Sequence, residues 1–193
     1  MAKKTAPKVK LDFSFVSTSD SFTLLILGLR LYSEANEHLH WHVKAERTKS
    51  QRDTTSFILG LTELNPADVV ALLPITVTMT RIAPRELDND NAYSSTKHCR
   101  DSFASWIGID DRDKRVLYVT EQRKGSPKQY GTEIKVETRE SYAKRMLRDA
   151  IASVSTGPGL YSTVHGACSE SSMVRPERVG MPTLRVSGTC DQL

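Results

Sequence analysis

Two acidic pairs carry the residue types and spacing in this 193-residue chain that could do chemistry: Asp88 with Asp90, and Asp110 with Asp111. Asp88 and Asp90 close an apolar, β-branched run (Ile75 to Met79) and are separated by one residue. In extended backbone both carboxylates would point to one side. Such a pair can hold a hard cation. Mg²⁺ prefers oxygen ligands, accepts one or two carboxylates and keeps several waters, which leaves room for a phosphate. Between the pairs lies an expected helix containing Lys97 and Asp101. The layout points to metal-dependent phosphodiester chemistry. The competing expectation is that Asp and Asn gather here because they suit turns and helix N-caps.

The elements that must position these residues follow from patterning. Phe22 to Leu31 is a dense apolar run of strand length. The stretch from Ser33 through Leu61 is expected to be a helix, capped by Ser33 or Asn36, with Lys44, Arg47, Lys49 and Arg52 making a basic face. Asn65, Pro66 and Pro74 punctuate a connection through ADVVALL, after which Ile75 to Arg81 alternates Ile-Thr-Val-Thr-Met-Thr as a strand should. Ala92 to Ile107 is expected to be a helix stopped by Gly108. Arg115 to Gln122 and Tyr130 to Glu137 are expected to pair as a β-hairpin, and Glu140 to Val154 to form a last helix. The fold class expected is α/β (α+β), a small mixed sheet with flanking helices in the order β-α-β-α-β-β. The organisation expected is a basic N-terminal arm over 1–21 with room for an edge strand, a central domain over 22–137, and a C-terminal helix with an irregular Gly/Ser/Pro-rich tail over 138–193.

Composition narrows the partners. Thirty-eight per cent hydrophobic and 26% charged residues suit a globular domain, and no apolar run approaches the roughly 18 residues of a membrane span. No membrane is expected. The basic start lacks a secretory pattern, so the cytoplasm of a bacterium or phage-infected host is the expected compartment. Cys99, Cys168 and Cys190 are too few and scattered for a disulfide framework or zinc knuckle and are read as free thiols. A net charge of +4 makes a polyanionic partner plausible.

The run PRELDNDN, then Lys97, Arg100 and Asp101, then WIGIDDRD and a strand ending in Gln122, resembles the RusA-like Holliday-junction resolvases and their phage relatives. The upstream segment SEANEHLHWHVKAERTKSQR is similar in kind to that family's Asn-, His- and Arg-rich segment, and the resemblance covers roughly Phe22 to Val136. It implies a Mg²⁺-dependent endodeoxyribonuclease that cuts four-way junctions or other branched DNA in recombination and repair. It also implies metal ligands at Asp88, Asp90 and Asp111, with Asp110 as a substitute for Asp111, and a catalytic lysine at Lys97. Lys97 follows Asp90 by seven residues, a longer gap than the family's, so Arg85 and Arg100 stand as alternatives for the cationic role. DNA contacts are expected from Asn36, His38, His40, Lys44, Arg47, Lys49, Arg52, Arg85 and Arg100. His38, His40 and His42 are read as DNA contacts rather than a zinc site, because no Cys or Glu completes a ligand set. Trp106 is read as a core or dimer contact.

Geometry adds one expectation. A straight helix from Ser94 to Ile107 carries the chain about 20 Å from the first acidic turn. Either the chain folds back at WIGIDD so that one protomer closes its own site, or a homodimer brings Asp111 of one protomer to Asp88 and Asp90 of its partner, symmetrically, as two cuts in a four-way junction require. The same residues would serve a flap or fork nuclease, and a protein that binds DNA without cutting would share the basic face.

Overall fold

The computed structural model describes residues 11–33, 38–155 and 184–188. It is a mixed α+β structure in which a six-stranded mixed sheet is flanked by helices. In chain order the elements are β1 (Leu11–Ser17), β2 (Ser21–Leu27), α1 (Trp41–Leu61), α2 (Pro66–Ala71), β3 (Ile75–Ala83), α3 (Asn89–Ser95), α4 (Lys97–Ile107), β4 (Val116–Lys124), β5 (Gly131–Thr138), α5 (Arg139–Ser155) and β6 (Leu184–Gly188). The spatial order is β4-β3-β5-β2-β1-β6, with β3 and β4 parallel and the other neighbours antiparallel.

Strand alternation decides what each face carries. In β2 the buried positions are Phe22, Leu24 and Ile26, and their register partners on β5 include the buried Ile134 and Val136. β3 is buried along its whole length, since both faces are covered. Val77 and Met79 join the core with Ile58 and Leu59 of α1 and Cys99, Phe103 and Ile107 of α4. Trp106 packs against this core, its ring 5.9 Å from that of Phe103. Thr76, Thr78 and Thr80 face the other side, where α5 lies against β3 and β5. There Glu137, register partner of Thr76, is buried and pairs with Arg145 of α5 at 2.9 Å and with Lys135 at 2.9 Å.

Several expectations need correction. β4 and β5 are not a hairpin: β3 lies between them, parallel to one and antiparallel to the other. The connection after Lys124 steps over the end of β3, where the Gly125 amide donates to the Ala83 carbonyl at 2.9 Å. β3 carries a hydrogen-bonded neighbour on each edge, and the residues from Gly125 to Tyr130 are enough to cross its end. The domain boundaries expected at residues 21 and 137 fall inside the fold. β1 hydrogen-bonds to β2 across six paired residues and to β6 on its other edge, so it is interior to the sheet, and α5 is fastened to β5 through Glu137. ADVVALL holds a helix, α2, whose start was legible: the Asn65 side chain accepts from the Ala67 amide at 3.1 Å and Pro66 occupies the first helical position. α1 begins at Trp41 after His40, with no side-chain cap, rather than at Ser33; Asn36 lies outside the described residues. Gly108 ends α4 in the left-handed conformation (φ 70°), as its position suggests.

Candidate active site

The first acidic turn lies beyond the C-terminal end of β3, beside the same end of its parallel neighbour β4. Open α/β sheets commonly present ligands there, outside the carboxyl ends of parallel strands. Gln122 of β4 fixes the turn. Its Oε1 accepts from the Leu87 amide at 2.8 Å and its Nε2 donates to the Leu87 carbonyl at 2.7 Å. Asp88 and Asp90 are therefore not on an extended strand, as their spacing suggested. Asp88 is the N-cap of α3, and Asp90 sits in the first helical turn.

Asp88 is held from both sides. Its Oδ1 accepts from the Asn91 amide at 2.9 Å and its Oδ2 from Asn91 Nδ2 at 2.9 Å, so the residue performs the capping role that Asp favours. Asn91 Oδ1 in turn accepts from Ser33 Oγ, which ties the turn to the segment after β2. Asp90 is exposed and borders an open cleft of about 410 Å³ with Asn89, Ala92, Tyr93, Thr120 and Gln122. Thr120 Oγ1 lies 3.2 Å from Thr96 Oγ1, where α3 gives way to α4.

The second acidic turn is elsewhere. Asp110 accepts from the Arg112 amide at 2.8 Å, and Asp113 pairs with Arg115 at 2.7 Å, an interaction that holds the Asp113 carboxyl down at about 2. Asp111 is exposed and acts electrostatically on Tyr118, whose phenol is pushed up to about 12 by burial first and by the Asp111 charge second. Tyr118 and Gln122 are four residues apart on one strand, about 13 Å. The chain thus sets its two acidic turns toward opposite ends of β4. Among the described residues no three His, Cys, Asp or Glu side chains stand close enough to hold a metal ion together. Asp88, Asp90 and Asp111 are not gathered within one chain.

The expected cations have different surroundings. Lys97 is exposed at the start of α4 and Arg85 is exposed in the turn before Asp88. Arg100 is buried: its guanidinium carbon lies 3.7 Å from the Tyr93 ring centre and Nη2 donates to the Tyr93 carbonyl at 3.3 Å, so it joins α3 to α4. On α1, Lys49 is exposed and Lys44 half-buried, Arg52 pairs with Asp101 at 2.6 Å, and Arg47 lies 4.1 Å from the Tyr32 ring centre. His38 and His40 are exposed, and His40 Nδ1 lies 2.6 Å from His42 Nδ1.

Sequence reasoning missed Arg30, Tyr32, Arg81 and Tyr130, and named Gln122 only as the end of a strand. Arg30 is held against Tyr32 and Tyr130 at 4.9 and 4.7 Å, and Arg81 is buried with Nη1 donating to the Arg85 carbonyl at 2.8 Å. Arg81 carried the one available signal: it occupies an inward position of an otherwise apolar strand face.

No family model and no curated protein matches this chain. Among solved structures, the OmpA-like domain of FopA1 from Francisella tularensis subsp. tularensis SCHU S4 is similar at 14% identity and a TM-score of 0.29, over 71% of this chain and 87% of that one. A likeness of that size carries no argument about ancestry or activity. No helix among the described residues is long and apolar enough to cross a membrane.

Proposed function

We propose that this chain is a Mg²⁺-dependent endodeoxyribonuclease acting on branched DNA, with a four-way junction as the substrate, and that it works as a homodimer in recombination or repair. The observation that carries the proposal is the placement of Asp90: an exposed carboxylate on a clamped turn, at the rim of a polar cleft it shares with Tyr93, Thr120 and Gln122. The resemblance of the PRELDNDN and WIGIDDRD segments to RusA-like resolvases supports the same reading.

The donor set fits the metal. A carboxylate offers about four lone-pair sites, so Asp88 retains acceptor capacity beyond its two bonds to Asn91, and Mg²⁺ needs only one or two carboxylates. Asp90 and Asp88 would hold the ion, and Asp111 would come from the partner protomer. A bound Mg²⁺ supplies a water of lowered pKa and charge stabilisation at the scissile phosphate. Gln122 keeps the turn rigid, Lys97 supplies a positive charge at the head of α4, and the basic residues of α1 hold the DNA arms.

A second reading has its own support. Both Asp88 oxygens are engaged by Asn91, Oδ1 by the backbone amide it caps and Oδ2 by the side-chain Nδ2, a structural use that a protein binding DNA without cutting would also display. The experiment that separates the two incubates purified protein with a synthetic four-way junction and with linear duplex, each with Mg²⁺ and with EDTA. Metal-dependent cutting of the junction supports the nuclease. Tight binding with no cutting in Mg²⁺ supports the non-catalytic alternative.

A further inference from the structure

Arg30 and Arg81 form a site that the acidic residues do not account for. Across the sheet, Arg81 of β3 pairs in register with Thr132 of β5, two residues past Tyr130, and the Gly28 amide at the end of β2 donates to the Tyr130 carbonyl at 2.8 Å. Three adjacent strand ends therefore converge, bringing Arg30, Tyr130 and Arg81 together. Arg30 is exposed, but its guanidinium is held against two tyrosine rings, 4.9 Å from the Tyr32 centre and 4.7 Å from the Tyr130 centre. Arg47 lies on Tyr32 as well, at 4.1 Å.

Arg81 is 8% exposed, and its buried Nε has no hydrogen-bond partner among the described residues. Burial lowers its pKa, and the neighbouring Arg30 charge lowers it further. The Tyr130 side chain also acts on its charge, and Arg81 makes no ion pair with a carboxylate of the described residues. Two guanidinium groups beside each other, one of them buried, repel unless an anion lies with them. The fork of a guanidinium matches the paired oxygens of a phosphate, and stacking on tyrosine fixes an arginine while leaving its in-plane N–H groups available.

We infer that Arg30 and Arg81, with the Tyr130 side chain, form an anion subsite that holds a backbone phosphate of the DNA strand beside the acidic turn. The subsite deepens the nuclease reading and rests on it for the identity of its ligand. Its position follows from two links: Arg81 donates to the carbonyl of Arg85 in the turn itself, and Ser33, next to Tyr32, donates to the Asn91 side chain that holds Asp88. A phosphate seated there would place the neighbouring nucleotide against Asp90.

The test uses the full chain in EDTA and a fluorescently labelled synthetic four-way junction, with anisotropy read over a series of NaCl concentrations. Arg30→Gln is the main variant, because its exposed side chain can change without unfolding the protein; thermal melting checks this. We expect binding to weaken about tenfold and the slope of log K against log salt to fall by about one, as one lost phosphate contact requires. Arg30→Lys should recover the slope and only part of the affinity, because an ammonium keeps the charge and loses the fork. Arg81→Gln, where it folds, should match Arg30→Gln, and the double variant should cost less than the sum of the two. Unchanged affinity and slope in Arg30→Gln would overturn the subsite, as would a wild-type protein that does not bind the junction. Cleavage by the wild type in Mg²⁺ is scored separately. Loss of binding in Arg30→Gln with no wild-type cleavage would sink the nuclease reading and keep the subsite.

Discussion

Gln122 grips Leu87 by both backbone groups, accepting from its amide at 2.8 Å and donating to its carbonyl at 2.7 Å. A side-chain amide of β4 thus holds the backbone four residues past the end of β3, and the acidic turn inherits the rigidity of β4. The Asp88 cap and the Asp90 carboxylate follow within three residues, so little freedom remains between the clamp and the site. Gln122→Leu leaves the Leu87 amide and carbonyl without these partners. We expect a loss of about 1 to 3 kcal/mol in urea denaturation, as for half-buried polar groups left unpaired. Cleavage should fall by more than junction binding does. Equal losses in both would mean that the clamp serves stability alone.

Asp90→Asn tests the metal assignment. Junction cleavage is expected to drop by about two orders of magnitude or more, the scale of removing a group that stabilises a transition state. Binding in EDTA should hold or tighten slightly, because a negative charge leaves the surface proposed to meet DNA. Wild-type cutting rates in this variant would show that Asp90 does not bind the ion.

Mixing inactive Asp90→Asn chains with inactive Asp111→Asn chains asks where the site closes. The structure sets Asp111 near Tyr118 and the Asp90 cleft near Gln122, about 13 Å along one strand. If partners exchange Asp111, a mixed dimer has one site with both lesions and one with neither, and nicking should return. The absence of nicking after mass spectrometry has verified subunit exchange would place each site within its own protomer.

The α1 cations are expected to contribute unequally. Arg52 pairs with Asp101 and Arg47 lies on Tyr32, whereas Lys49 is exposed. Reversing Lys44, Arg47, Lys49 and Arg52 together to Glu should weaken junction binding and flatten its salt dependence. Arg52→Ala alone should change the slope least and cost at most about 1 kcal/mol of stability, since its pair is half-exposed. A salt slope unchanged in the fourfold variant would return this face of α1 to plain solvent exposure.

Cys99 gives a prediction about pH. Its thiol is fully buried and accepts from Thr55 Oγ1 at 3.4 Å, and burial pushes its pKa up to about 11 from 9.0. The folded protein keeps this proton where the unfolded chain loses it. Stability from this group is complete below pH 9 and declines as pH rises from there toward 11. Alkylation followed by peptide mapping at pH 8 should leave Cys99 unmodified in the native protein and label it in urea. Rapid native labelling would contradict its burial.

Local chemistry determined much of this protein from the sequence. The alternation of Ile75 to Arg81, the dense apolar run from Phe22, the stop at Gly108 and the helix after Thr138 all depend on neighbours in the chain, and a few residues of context suffice for them. Sequence also marked the acidic turn, though it read Asp88 and Asp90 as a strand pair when the Asp-x-Asp-Asn pattern equally encodes a helix cap. The tertiary structure decided what depends on partners far away in the chain. β3 separates β4 from β5 because its two edges hydrogen-bond to these strands, which no loop length reveals. β1 pairs locally with β2 but is interior because β6, far along the chain, pairs with its other edge. The arginine and tyrosine cluster exists only where the ends of β2, β3 and β5 meet, and Arg30, Arg81 and Tyr130 are separated by about fifty residues at each step. Their meeting is a property of strand order, which hydrogen bonding between distant segments sets and which composition and periodicity do not carry.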